Sequence, residues 1–254
     1  MPVIEARGVT HRYGEHAGAR TVLADVDLRI SEPRVGVVGA NGSGKSTFAR
    51  MVNGLVLPTA GTVSVDGLDT RSQGREVRRR VGFCFTDPDA QIVMPTVAED
   101  VAFGLRRRGL SKPEIRARVD AALASYGLDG HADHPAHLLS GGQKQLLALA
   151  SVLVTEPDVL VMDEPTTRLI IVALRRSSSV VAELPQQVLL VTHHLDLLDG
   201  FDRVLVFDEG RLVCDDVPAT AVAHYRKLMA RARSVSTSPG PRPCTGRGPG
   251  SSCS

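Results

Sequence analysis

At 254 residues the chain can hold one large domain or two small ones, with enough length to bury a real core. Its 43% hydrophobic and 23% charged residues are an ordinary soluble balance, and a formal net charge of +2 gives no argument for an anionic partner. Aromatic residues make up only 4% and Trp is absent, which argues against stacking platforms for single-stranded nucleic acid. Cys84, Cys214, Cys244 and Cys253 form no CxxC pair, so free thiols in a reducing compartment are expected rather than a zinc site or a disulfide framework. Residues 1–7 lack a signal-peptide apolar core. The longest apolar run, 146–154, is too short to span a bilayer. If the protein works at a membrane, another chain is expected to anchor it there.

Apolar residues first alternate with polar ones. Val3, Val9, Val22, Leu23, Val26, Leu28 and Ile30 predict strands of a half-solvated antiparallel sheet. Residues 35–38 then predict a fully buried strand running into Gly39-Ala40-Asn41-Gly42-Ser43-Gly44-Lys45-Ser46-Thr47. This is the P-loop pattern, followed by a helical stretch over 47–55. Its glycines let backbone N–H groups turn onto phosphate oxygens, and the following helix adds its positive end. Lys45 is expected on the β- and γ-phosphates and Ser46 on Mg²⁺. From there strands and helices alternate, which implies a mostly parallel sheet flanked by helices.

A strand from Val81 leads into Phe83-Cys84-Phe85-Thr86-Asp87-Pro88-Asp89-Ala90-Gln91. Residues 96–137 read as largely helical, with Ser111-Lys112-Pro113-Glu114 as a capped helix start. The Arg triplets at 78–80 and 106–108 read as solvated helix faces. Leu139-Ser140-Gly141-Gly142-Gln143 opens a Leu- and Ala-rich helix reaching Val154. Val159-Leu160-Val161-Met162 is a buried strand that delivers Asp163 and Glu164 at its C-terminal end, where open α/β sheets place ligand chemistry. Adjacent acids there are costly without a cation nearby, which points away from a purely structural role. His193 closes the next strand, 188–192, and is followed by His194. Beyond Arg231 the composition turns to Ser, Pro, Gly, Arg and Thr, so 1–231 is expected as the domain and 232–254 as a disordered tail.

The P-loop, the Leu139–Gln143 string, the Val159–Glu164 string and Val191-Thr192-His193, in this order, resemble the nucleotide-binding subunit of an ABC transporter, from about Val3 to about Met229. The resemblance implies a P-loop NTPase fold of ABC type: a mostly parallel sheet flanked by helices, an N-terminal antiparallel β subdomain, and a helical subdomain over about 96–155. It implies that Tyr13 stacks on adenine and that Gly39, Asn41, Gly42, Ser43, Gly44, Lys45, Ser46 and Thr47 hold ATP. It also implies that Asp163 binds Mg²⁺ through water, that Glu164 polarises the attacking water, and that His193 contacts the γ-phosphate. Ser140, Gly141, Gly142 and Gln143 form the signature, which in this family faces the ATP of the opposite subunit. A second ATPase subunit, identical or related, is therefore required.

The segment 83–91 and the downstream Pro95-Thr96-Val97-Ala98-Glu99-Asp100-Val101-Ala102-Phe103-Gly104 resemble the Q-loop region of energy-coupling-factor (ECF) transporters. These import vitamins and metal ions by pairing ATPases with a membrane coupling protein and a substrate-binding membrane protein. That implies a peripheral place on the cytoplasmic face of the membrane and no nucleic-acid partner. Biotin and cobalt are the favoured cargoes, biotin first because the C-terminal extension of some cobalt-type ATPases is missing.

Two departures stand out. Thr86 occupies the usual Q-loop Gln position, leaving either its hydroxyl or Gln91 to contact the metal and nucleotide. Ile170 occupies the expected D-loop Asp position within an aberrant stretch, 168–179, that predicts weakened dimer closure and reduced hydrolysis. These two positions motivate a hydrolysis-impaired nucleotide-binding subunit as an alternative, against which retained Glu164 and His193 argue. A soluble ABC ATPase acting on nucleic acid or ribosomes is a second alternative. Those proteins usually carry two cassettes or long coiled-coil insertions, which this chain lacks.

Overall fold

The computed structural model describes residues 1–14, 18–106, 108–165 and 185–236. The departure at 168–179, including Ile170, and positions 237–254 of the expected tail lie outside the described residues. The strands are β1 (Ile4–Tyr13), β2 (Arg20–Ile30), β3 (Arg34–Gly39), β4 (Ala60–Val65), β5 (Leu68–Asp69), β6 (Val81–Cys84), β7 (Val159–Asp163), β8 (Gln187–Val191), β9 (Arg203–Asp208) and β10 (Arg211–Asp216). The α-helices are α1 (Lys45–Val52), α2 (Gly74–Arg80), α3 (Val97–Phe103), α4 (Lys112–Ser125), α5 (Gly141–Leu153) and α6 (Pro218–Ser236). The last helix thus continues through Arg231.

The expected antiparallel subdomain is a sheet in the order β2-β1-β4-β5. Its alternation is broken once in each long strand. In β1 the buried positions run Ile4, Ala6, then Val9 and His11; in β2 they run Leu23, then Val26, Leu28 and Ile30. A step of three would turn the later side chains outward in a regular strand. Register shifts absorb the extra residues, with Gly8 at φ +56° in β1 and Asp25, whose N–H donates to Thr10 Oγ1, at φ +52° in β2. Gly61 packs under this bulge: a Cβ there would lie 2.3 Å from the Gly8 carbonyl oxygen, so only glycine fits.

The second sheet has the order β10-β9-β3-β8-β7-β6 and is parallel except for the β9–β10 hairpin at its edge. This is the mostly parallel sheet expected from the alternation of strands and helices. β3 is central and flanked by β8 and β9, which follow it by more than a hundred residues in the chain. Strands buried on both faces read as continuous apolar runs, and every residue of β7 and β8 is buried. One apolar cluster fills the space between the two sheets around α1, with the rings of Phe48 and Phe207 stacked at 5.4 Å. A second lies on the opposite face of the parallel sheet and includes Leu149, Leu198 and Ala221.

A third cluster, from Val97 to Val154, belongs to α3, α4 and α5. All three helices carry capping boxes: Thr96 with Glu99, the anticipated Ser111 with Glu114, and Ser140 with Gln143. Asp100 is 4% exposed within this unit and is held by three donors. The N–H groups of Val93 and Met94 donate at 2.9 and 3.1 Å, and the Ser151 hydroxyl donates at 2.9 Å. It ties the segment before α3 to α5. Asp100→Ala would strand all three donors, and is expected to destabilise the fold by about 2–4 kcal/mol. Urea denaturation measures this, and a loss under about 0.5 kcal/mol, the range of ordinary surface changes, would contradict it.

Candidate functional site

The P-loop wraps the end of β3 under tight steric limits. Gly39 leaves no room for a side chain, since a Cβ would lie 2.4 Å from both the Phe207 carbonyl oxygen and Ser43 Oγ. Gly44 has φ +98°, and a Cβ there would meet the Val22 carbonyl oxygen and Leu23 Cδ2 at 2.6 Å. Gly42 turns at φ +78°. The Ser43 N–H donates to the Ala40 carbonyl at 3.1 Å, and the Ser43 carbonyl accepts from Gly210 at 3.1 Å. The loop is therefore braced by β2 on one side and the β9–β10 turn on the other. No side chain caps the first turn of α1, so its amide donors remain available to an anion. Ser43 Oγ is buried and unpartnered beside them.

Two further strand ends, those of β7 and β8, deliver side chains to this loop. Lys45 Nζ lies 2.9 Å from Glu164 Oε1, with the two side chains 7% and 21% exposed. His193 Nδ1 is 3.6 Å from the other oxygen of Glu164. Glu164 sits at φ +46°, left-handed backbone that costs a non-glycine residue of order 1 kcal/mol. Its N–H bonds the Val191 carbonyl of β8 at 2.9 Å, which holds that turn. The expected trio of Lys45, Glu164 and His193 is thus brought together.

Asp163 is 1% exposed. Its Oδ2 lies 3.4 Å from Arg50 Nη2, while Oδ1 is buried without a partner. An unpartnered buried carboxylate oxygen costs free energy unless a cation or its water completes it. A divalent cation near Ser46, which is half-buried at the start of α1, fits that requirement. Sequence reading missed Arg50, although its position one turn after Ser46 on α1 was the available signal. The Thr86 hydroxyl donates to the Asp163 carbonyl at 2.7 Å, so Thr86 is bound to the backbone of the carboxylate strand.

Gln91 is not brought to the carboxylates. Its amide oxygen accepts from Phe85 N–H at 3.1 Å and its amide nitrogen donates to the Ala148 carbonyl of α5 at 2.8 Å. With Lys144 Nζ 2.7 Å from Asp89, these bonds pin residues 86–91 to the helical unit. The segment therefore joins α5 to the strand carrying Asp163.

The signature opens α5. The Ser140 hydroxyl accepts from Gln143 N–H at 3.3 Å, and the Gln143 amide oxygen accepts from Ser140 N–H at 3.0 Å. The remaining Gln143 amide nitrogen lies 3.1 Å from His131 Nε2. Ser140 and Gly141 are exposed, and a Cβ on Gly141 would meet nothing within 4 Å. Among the described residues no hydrogen bond joins this turn to the P-loop. The structure thus builds the P-loop and the signature as two separate helix-opening turns in one chain.

Tyr13 is 47% exposed at the end of β1, edge-on to His11 at 4.5 Å and opposite Arg20 in the strand pairing. Between this hairpin, P-loop residues 40–43 and the β9–β10 turn lies a polar hollow of about 350 Å³. Arg20, Asp208 and Glu209 also line it, and none of the three was anticipated from the sequence.

A glycine loop on a central parallel strand, with two acids and a histidine on the neighbouring strand ends, defines a P-loop ATPase. Residues 23–167 match the sequence profile of the ABC transporter family. The chain belongs to that family, as the ATP-hydrolysing subunit of an ECF-type transporter. It is 49% identical over 217 residues to the biotin transport ATP-binding protein of Rhizobium etli, covering 85% of this chain and 96% of that one. It is 43% identical over 244 residues to an energy-coupling factor transporter ATP-binding protein of Symbiobacterium thermophilum, covering 90% and 84%. Among solved structures, cbiO1 from Clostridium perfringens, part of the ABC transporter complex cbiONQ, superimposes with a TM-score of 0.73 at 32% identity, covering 91% and 96%. No described helix is long and apolar enough to cross a membrane.

Proposed function

We propose that the chain is the ATP-driven motor of a biotin importer, docked on the cytoplasmic face of the membrane. The convergence of Lys45, Glu164 and His193 at the mouth of the P-loop carries this reading. The loop amides and Lys45 bind the β- and γ-phosphates of ATP, with Gly39, Asn41, Gly42, Ser43, Gly44, Ser46 and Thr47 shaping the cradle. Tyr13 stacks on adenine. Incoming phosphate draws Lys45 off Glu164, which frees that carboxylate to orient the attacking water. His193 contacts the γ-phosphate from β8 and helps position the same water.

Ser46 and Asp163 would hold Mg²⁺, which would supply charge neutralisation on the phosphate oxygens. Arg50 keeps the Asp163 side chain oriented, and Thr86 holds the backbone of that residue. Gln91 acts as a tie between the helical unit and the catalytic strand rather than as a metal ligand. Ser140, Gly141, Gly142 and Gln143 complete the site of a second ATPase subunit, since their turn is built apart from the P-loop of its own chain.

Biotin as cargo rests on the Rhizobium etli relative. The test is to purify the full chain with its membrane partners from detergent-solubilised native membranes and to measure ATP-dependent uptake in vesicles. A coupling protein and a small substrate-binding membrane protein should follow the chain, and labelled biotin should accumulate. Accumulation of cobalt instead would overturn the cargo, and recovery of no membrane partner with folded, ATP-binding chain would overturn the importer.

A further inference from the structure

We infer that Arg20 is a second phosphate-binding cation, which grips the nucleotide at the ribose end of its phosphate chain while Lys45 grips the terminal end. The inference deepens the nucleotide reading above and rests on it. The hollow beside the P-loop is lined by Arg20, residues 40–43, Asp208 and Glu209, but not by Lys45, Glu164 or His193. It is therefore the part of the site away from the hydrolytic chemistry. A Cβ built on Gly42 would lie 3.5 Å from Arg20 Nη2, which sets the guanidinium directly against the glycine turn. Arg20 stands opposite Tyr13 in the β1–β2 pairing, so one hairpin supplies both a ring for the base and a cation for the phosphates.

Arg20 is the one cation among the described residues lining the hollow. Asp208 and Glu209 repel phosphate from the β9–β10 side. Lys45 is already engaged with Glu164. Among the described residues Arg20 has no ion-pair partner, so its guanidinium is free for a bidentate grip on phosphate oxygens. The side chain is exposed and packs into no core cluster, so substitution leaves the fold intact.

Calorimetric titration of the full chain with ADP and with adenosine tests the inference without hydrolysis. Arg20→Met should weaken ADP binding about tenfold and leave adenosine binding unchanged, while Arg20→Lys, which keeps the charge but not the bidentate fork, should fall between Arg20→Met and the wild type. An unchanged ADP affinity in Arg20→Met overturns the assignment. So does an equal loss for ADP and adenosine, which would place the guanidinium on the base or ribose. A wild-type chain that binds no ADP would fail the nucleotide reading itself, an outcome separate from either of these. Thermal unfolding of Arg20→Met should match the wild type.

Discussion

Lys45→Ala should lower the ATP affinity of the chain about a hundredfold while leaving it folded. Two charge-assisted bonds to phosphate oxygens contribute about 1.5 kcal/mol each, and their sum of about 3 kcal/mol corresponds to that factor. In the nucleotide-free chain the ammonium already has a partner, Glu164 Oε1 at 2.9 Å. Binding therefore exchanges a carboxylate for phosphate rather than adding a contact to a bare cation, which limits the loss. The β3–loop–α1 frame rests on Gly39, Gly44 and the apolar cluster around Phe48, none of which involves the ammonium. Titration of the variant with ATP checks the value, and an affinity within about threefold of the wild type would remove Lys45 from the phosphate site.

Gly141→Asp is expected to suppress ATP hydrolysis by at least about tenfold while leaving ADP binding by a single chain unchanged. A side chain at this position meets nothing within 4 Å, so the chain itself accommodates it. Acidic residues in the first turn also favour a helix, so α5 is not weakened. The loss must then come from outside the chain, where the new carboxylate would meet the terminal phosphate bound by a partner subunit. Steady-state turnover with ADP titration measures both quantities. Full turnover in the variant would show that this turn closes no shared site.

The site was legible in the sequence wherever its chemistry is carried by consecutive residues. The P-loop, Asp163–Glu164, His193 and the signature turn are each short strings whose backbone context follows from the flanking apolar runs. The Ser111–Glu114 cap was readable for the same reason. Contacts between distant segments were not. For Gln91, nothing in the sequence signals its hydrogen bond to the Ala148 carbonyl, 57 residues away on α5. Asp100 read as one acid in a helix start, and only the fold brings Ser151 and the N–H groups of Val93 and Met94 onto it. Arg20 is unremarkable in the chain and becomes a site residue when the hairpin lies over Gly42. The strand order was equally hidden, since β3 takes its neighbours β8 and β9 from the far end of the chain. The broken alternation of β1 and β2 shows the other side of this limit. The bulges that restore its phase depend on Gly8 and Asp25 adopting left-handed backbone, and on Gly61 leaving room across the sheet.

The most direct test is ATP turnover by the full chain with Glu164 replaced by Gln. The amide keeps the shape of the side chain but cannot serve as a negatively charged acceptor for the water proton. It also releases Lys45 from its ion pair. The account predicts that turnover falls at least about a hundredfold while ATP affinity is equal or higher. Turnover within about tenfold of the wild type would show that the carboxylate at the end of β7 is not the group that activates water.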